Sequence, residues 1–597
     1  VTGYPSSKHW ALLARLRAFF ESPRLPLYAA ILAAALTSPS LFSGLATEDW
    51  IQRDLIARGE YPLPERVNLF GRSHEWTAVE IEKRDVDYQL YGWFPWLADQ
   101  HFDASFWRPI ASLTHHLDYR VWPEQAWLMH AESIGWYAAL VFAVGILHRR
   151  LANPRWTAGL ATLLYAADDA HGHPVGWLMN RNGVMAACFS LAALIAFDRF
   201  RRDGWKPGAW LTALFFGIGL CTAEFALCAA GYFVAYAVFV DEAPILRRIG
   251  GAMSWFLVLA IWAVVYRLLG HATRGSGLYV DPVSDPVTYV FELTERATVL
   301  LMGQFGAPFS DAWLRASPYA QGVLVFWAAM FLAAVVFVVW PLVRRDRRVR
   351  FWVTGLVLSL PPACATFPED RLLLFAGIGA FPLVAALLDA VREHAAVLAS
   401  RRRAAEALAA VFVGVHAFAA PVLLPYRSLQ MYRYDREIAA AGESAFSHVA
   451  KVPGDALIVV NAQNYYFVGM MALTRLSRGQ QTIRRMLTLA GTLDDVSIRR
   501  IDPFRLEVTP RDGFYSRVFN RIFRGRDDRF KRGMVIDLEG VTVTVTDVNQ
   551  WGEPLRAEFA FILPLEDIRY TWISWKNGHY EAFRPPALGT TVVVRGS

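Results

Sequence analysis

Apolar runs long enough to cross a bilayer recur through the first two thirds of this chain, and no other feature narrows its fold so far. Each crossing of roughly 30 Å of hydrocarbon takes about 20 helical residues, and inside the bilayer every backbone N–H and C=O must be paired within a helix or a closed barrel. About eleven runs meet that length, near 26–46, 127–147, 156–168, 183–198, 208–222, 225–240, 250–269, 319–343, 351–366, 371–390 and 405–425. Composition agrees: of 597 residues, 55% are hydrophobic and only 19% charged, too apolar for a soluble protein of this size. The expected fold is a polytopic α-helical membrane protein followed by a soluble C-terminal domain.

Lys and Arg are retained on the cytoplasmic side of a membrane. Here they cluster at Lys8/Arg15/Arg17/Arg24, Arg149/Arg150/Arg155, Arg199/Arg201/Arg202/Lys206, Arg247/Arg248, Arg344/Arg345/Arg347/Arg348/Arg350 and Arg401/Arg402/Arg403. With about eleven spans, all of these clusters fall on one side. The expected organisation is a cytoplasmic N-terminal segment (1–25), a transmembrane domain (26–425) and a far-side domain (426–597). The first span, behind an arginine-bearing leader, reads as an anchor rather than a cleaved signal. An Ala/Arg-rich composition suggests a bacterial inner membrane, with the last domain periplasmic. The net charge of +7 is accounted for by topology and gives no reason to invoke nucleic acid. Cys188, Cys221, Cys228 and Cys364 all lie in expected spans, which argues against a disulfide framework or a zinc site.

Two far-side loops, 47–126 and 270–318, are long, and loops of that length are usually functional. In the first, "FWRPIASLTHHLDYRVW" (106–122) has helical periodicity. Trp107, Ile110, Leu113, Leu117 and Val121 share one face, and Arg108, Ser112, His115 and Tyr119 the other. Such a helix is suited to the membrane surface. The second loop holds another amphipathic candidate around 286–304. From 426 onward, "GDALIVVNAQ" reads as a buried strand and "YYFVGMMALTRLSRG" as a helix. The runs "FRLEVTP", "GMVIDLEGVTVTVTDV", "LRAEFAFIL", "YTWISW" and "GTTVVVRG" then read as strands. Together they make an α/β-plus-β-rich domain.

Several polar groups stand at far-side span ends. Glu48 and Asp49 follow the first span, where a partly desolvated carboxylate is suited to act as a base. The segment "YAADDAHGHPVGWLMNRNG" (165–183) packs Asp168, Asp169, His171 and His173 together, with Asn180 and Arg181 after them. These are candidates to hydrogen-bond a polar substrate. Carboxylates and imidazoles also ligate divalent ions, so Asp168, Asp169, His171 and His173 are candidate metal ligands, although the spacing matches no specific zinc pattern. Arg371, in "FPEDRLLLF", is placed to clamp a phosphate or to pair with Glu369 or Asp370. Glu224, in "CTAEFAL", is an ionisable group at or near membrane depth and so a functional candidate. Arg267 and Arg274 are weaker phosphate candidates. There is no P-loop, dinucleotide glycine fingerprint or G-x-S-x-G motif.

Taken together, these segments resemble the GT-C superfamily of membrane glycosyltransferases. The likeness is to the protein O-mannosyltransferase side, and in particular to the membrane part of the transmembrane and tetratricopeptide-repeat O-mannosyltransferases. The elements that carry it are "TEDW" after the first span, "FWRPIASLTHHLDYRVW" with Arg108 and His115, and "HPVGWLMNRNGVMAACFSLAAL". "CTAEFAL" and "EDRLLLFAGIGAF" follow in the family's order, so the resemblance covers roughly 26–425. It implies a polyprenyl-phosphate-sugar donor, inversion at the sugar carbon, a catalytic carboxylate at Glu48 or Asp49 and a phosphate-binding arginine at Arg371. A protein, lipid or glycan hydroxyl would be the acceptor; the sequence assigns no cofactor and leaves a divalent cation open. The chain departs from the family in having Glu48 rather than aspartate first in the acidic pair, Ala223 where a lysine precedes the glutamate, and no tetratricopeptide repeats. A second reading is a non-catalytic, transferase-like membrane scaffold that holds a protein partner through its C-terminal domain. A third, a flippase for a lipid-linked sugar, is disfavoured because no inverted repeat is evident.

Overall fold

The computed structural model describes residues 15–58, 92–99, 102–449 and 456–596. Most of the expected N-terminal segment, with Lys8, and much of the first far-side loop, 59–91 and 100–101, lie outside the described residues. Among those described, seven helical stretches are long and apolar enough to cross a membrane: Leu25–Phe42, Ala126–Leu151, Leu178–Arg202, Ile245–Leu268, Pro318–Arg345, Asp370–Arg392 and Ala396–Arg427. The remaining expected spans are also helices, but shorter: Arg155–Ala166, Pro207–Thr222, Cys228–Phe239 and Arg347–Ala363. A helix rises 1.5 Å per residue, so Arg155–Ala166, with 12 residues, reaches only about 18 Å. It continues instead into the polar segment 168–176, which is buried in protein throughout, the setting in which irregular backbone is tolerated at membrane depth.

Both far-side amphipathic segments form helices, and both bury the polar side. In Pro109–Val121, Ser112, His115, Asp118 and Tyr119 are buried, while Leu113, Leu117 and Val121 are more than half exposed. In Pro286–Phe305, Glu292 and Arg296 are buried and paired at 2.9 Å, while Val287, Val290 and Phe291 are exposed. A helix lying on a bilayer surface turns its apolar stripe outward to lipid. Its polar stripe is then left to be satisfied by the protein.

The C-terminal domain contains two sheets. In the first the order is His579–Ala582, Tyr570–Lys576, Ala456–Asn461, Arg485–Ala490. Ala456–Asn461 runs parallel to both of its neighbours, and the helix Tyr465–Ser477 makes the crossover to Arg485–Ala490, as a parallel connection requires. The second sheet is antiparallel, in the order Thr591–Val594, Val496–Arg500, Arg505–Pro510, Pro554–Phe561, Val541–Val548, Val535–Leu538. Burial alternates along Arg505–Pro510, the period-2 signature of a half-buried strand. The first far-side loop is part of this body. Trp96 is 2% exposed, donates its indole N–H to the Leu489 carbonyl at 3.1 Å and packs edge-on to Phe514 and Phe559 with centroids 5.0 and 5.6 Å away. As a result the domain sits over the far-side ends of the helices.

Helix packing in the body relies on small residues. A Cβ on Gly231 would stand 2.6 Å from the Leu358 carbonyl carbon, whereas one on Gly135 would meet nothing within 4 Å. Close backbone approach at glycine is how apolar helices gain contact in a medium that offers no hydrophobic drive. Gly231→Ala is therefore expected to lower the thermal unfolding midpoint in detergent, with overpacking costing about 1–3 kcal/mol. Gly135→Ala is expected to leave the midpoint unchanged or raise it.

Candidate functional site

A cavity of about 1490 Å³ lies between the helical body and the C-terminal domain. Of the residues singled out from sequence, Glu48, Arg108, His173, Asn180, Glu224, Arg267 and Arg371 line it. Asp49, His115, Asp168, Asp169, His171 and Arg181 do not.

The acidic pair divides at the start of the helix Glu48–Arg58. Neighbouring helical residues point about 100° apart, and the two carboxylates take different partners. Asp49 is 1% exposed. Its Oδ2 accepts the Ala46 N–H at 3.1 Å and its Oδ1 the Met179 N–H at 2.9 Å. Burial pushes the Asp49 carboxyl well above its usual range, and the two N–H bonds pull the other way. It joins the first far-side helix to the 177–182 segment. Glu48 faces the cavity, where Oε1 accepts the hydroxyl of Tyr466 from the C-terminal domain and Oε2 is buried without a partner.

The cations on the walls are mostly paired. Arg108 donates to Glu224 at 2.8 Å, and Glu224 also accepts the Trp107 N–H at 3.1 Å. The Glu224 segment is accessible because Ala223 is extended and breaks the helix there. Arg371 donates its Nε–H to Glu369 and lies 5.5 Å over the Phe367 ring. Arg427, which nothing in the local sequence marks, donates to Asp169 at 2.9 Å, Asp370 at 2.5 Å and Asp311 at 2.8 Å, and it too lines the cavity. Arg181 is 0% exposed and is an internal strut. It donates to Asp118 at 2.5 Å, Glu132 at 2.9 Å and the His115 ring at 3.3 Å.

The candidate metal ligands diverge. Asp168 accepts from Gln304 at 3.3 Å, Asp169 from Arg427, and His171 Nδ1 lies 2.9 Å from the Tyr137 hydroxyl. His173 stacks on Trp177 with centroids 5.4 Å apart and planes at 19°. Among the described residues, no group of three or more His, Cys, Asp or Glu is arranged to hold a metal ion. This corrects the metal reading of that segment. Asp168 Oδ2 and His171 Nε2 lie 3.8 Å apart, while Asp169 is taken by Arg427 and the His173 ring by Trp177.

No protein-family model matches the chain, and no curated protein matches it. Solved structures to which the chain shows similarity include an Archaeoglobus fulgidus oligosaccharyltransferase tethered to an acceptor peptide containing the NVT sequon (TM-score 0.38, 10% identity, covering 79% of this chain and 64% of that one). Another is the archaeal oligosaccharyltransferase AglB from Archaeoglobus fulgidus in complex with an inhibitory peptide and a dolichol-phosphate (0.41, 13%, 78% and 64%). A third is ArnT from Cupriavidus metallidurans in the apo state (0.36, 12%, 74% and 84%). The chain thus spans 64% of the length of the two archaeal chains.

The split between the two carboxylates is testable on stability alone. Asp49→Ala leaves the Ala46 and Met179 N–H groups without acceptors, at about 1–3 kcal/mol for each buried orphan. A marked fall in the thermal midpoint is expected. Glu48→Gln keeps an acceptor for Tyr466 and is expected to leave the midpoint unchanged.

Proposed function

We propose that this chain is an integral-membrane glycosyltransferase that moves a sugar from a polyprenyl-phosphate donor to an acceptor hydroxyl, with inversion, inside the cavity beneath its C-terminal domain. The observation that carries this reading is the gathering of Glu48, with an unpartnered carboxylate oxygen, and Arg371 on the walls of one cavity. Glu48 and Arg371 come from segments far apart in sequence. Apolar walls, including Phe94, Phe102, Phe106, Trp262 and Phe519, suit a lipid-linked substrate and exclude water.

In this reading the acceptor O–H gives its proton to Glu48 as its oxygen attacks the anomeric carbon from the face opposite the phosphate. The bond from carbon to phosphate oxygen breaks, and the lipid phosphate leaves with both electrons. Arg371 keeps its Nη groups clear of any hydrogen bond among the described residues, since only its Nε is spent on Glu369. A planar guanidinium edge of this kind suits a departing phosphate. Asp49 does not touch substrate; it positions Glu48. The donor is a lipid-linked sugar, and the acceptor is a hydroxyl of a protein, lipid or glycan. The cation pattern supports a cavity on the far side of the membrane, which in a bacterial inner membrane is the periplasm.

The test is sugar transfer from a mixed pool of radiolabelled polyprenyl-phosphate sugars by the purified full chain. Glu48→Gln is expected to lower turnover about 10²- to 10⁴-fold, the usual contribution of a positioned base, with the thermal midpoint retained. Transfer by the variant at the wild-type rate would remove Glu48 from the chemistry. Absence of transfer by a folded wild type would favour the non-catalytic scaffold.

A further inference from the structure

Among the described residues, several buried polar side-chain atoms without a partner fall on one stretch of the cavity wall. They are Glu48 Oε2, both amide atoms of Gln52, both ring nitrogens of His173, Trp177 Nε1 and Asn180 Nδ2, and all five residues line the cavity. Gln52 is 2% exposed and His173 4%. Gln52 lies one helical turn beyond Glu48 and so on the same face. The 177–182 segment is bound to that helix through Met179 and Asp49, which makes the residues one patch. Native proteins pair nearly all buried polar groups, so orphans gathered on residues that line one cavity mark groups held for something that is not protein.

The chemistry of the set identifies its ligand. Gln52 Nε2, Trp177 Nε1 and Asn180 Nδ2 donate, whereas Glu48 Oε2 and Gln52 Oε1 accept. Burial, with Arg371 and Arg427 nearby, holds His173 down to about 3. Its ring is therefore neutral at physiological pH and offers one donor and one acceptor. A phosphate takes donors and cations; this patch mixes donors and acceptors and has no cation. Hydroxyl groups both give and take hydrogen bonds, and the flat face of the stacked His173–Trp177 pair suits the C–H face of a pyranose. We infer that Gln52, His173, Trp177 and Asn180, beside Glu48, form the subsite that holds the neutral sugar ring, separate from the arginines that face its phosphate. The inference rests on the transferase reading and assigns the part of the cavity that discriminates among sugars.

The experiment measures calorimetric binding to the full chain in nanodiscs, using short-chain polyprenyl phosphate either bare or carrying glucose, mannose or galactose. Wild type is expected to bind at least one glycosylated lipid about tenfold or more tightly than the bare lipid. Trp177→Phe, which keeps the ring and removes the N–H, and Gln52→Leu are each expected to weaken that glycosylated lipid about tenfold, the usual scale of one buried hydrogen bond. Both variants should bind the bare lipid unchanged, which also shows that they are folded. Equal binding of bare and glycosylated lipids by wild type would overturn the subsite and leave the transferase reading standing. So would variants that weaken both lipids together. Binding of neither by wild type would overturn both.

Discussion

The far side of the helical body is organised around a single guanidinium. Arg427 is 5% exposed and bridges Asp169, Asp311 and Asp370. Those carboxylates stand in the turn after Arg155–Ala166, in the segment ahead of Pro318–Arg345, and at the start of Asp370–Arg392. A buried charge without its partner is costly, and breaking one such pair typically removes about 3–5 kcal/mol. The network closes only when all three segments have arrived, and it adds to the hydrogen bonds that Tyr165 makes to the Leu374 carbonyl and the Asp370 N–H makes to Asp311. The backbone is fitted to it as closely. A Cβ on Gly176 would stand 2.0 Å from the Ser428 carbonyl oxygen, and one on Gly172 2.9 Å from the Arg427 carbonyl carbon. The chain therefore leaves its last apolar helix at a fixed point, and the C-terminal domain starts from there.

From that point the domain is drawn back over the cavity by polar ties and by apolar contact, in which Val518 and Phe519 pack with Leu278, Trp313 and Phe367. Trp50 donates to Asp435 at 3.1 Å, Tyr466 donates to Glu48, Arg526 pairs with Glu292, and the Gly277 N–H reaches the Arg521 carbonyl at 2.8 Å. Trp96 adds an apolar plug from the first far-side loop. Both walls of the cavity thus come from chain that is distant in sequence. Polar ties at a rim can exchange for substrate or water at little net cost, since a hydrogen bond typically contributes only about 0.5–1.5 kcal/mol.

How much of this was legible in the sequence depends on the range of the interaction. Helix after helix stands where an apolar run of the right length stands. "ALIVVN" and "RLEVTP" are strands for local reasons of β-branching and period. The faces of 106–122 were also legible, but which of them the protein would cover was not, because periodicity alone does not say whether the apolar stripe meets protein or lipid. Arg427 carried no local signal, because its partner Asp169 is 258 residues away. Arg181 shows the converse. It looked like a substrate ligand because it follows a polar loop, yet Asp118 and Glu132 spend it internally. Trp177 and Gln52 were passed over, since an indole and a single amide mean nothing until their unpartnered atoms are seen to face the same space.

Two adjacent acids at the exit of the first span now have a physical explanation that neither has alone. Both lie in the first turn of Glu48–Arg58, where the helix N-terminus favours negative charge. The roughly 100° step between them sends one inward and one toward the cavity. Asp49 spends its oxygens on backbone N–H groups of two other segments and so fixes the helix against the 177–182 turn. That contact in turn sets where Glu48 stands relative to His173, Trp177 and Asn180. A base must be held within hydrogen-bond reach of the proton it removes, and a long side chain at a loose helix end would not be. The inward acid thus fixes the helix end from which the outward one reaches the cavity.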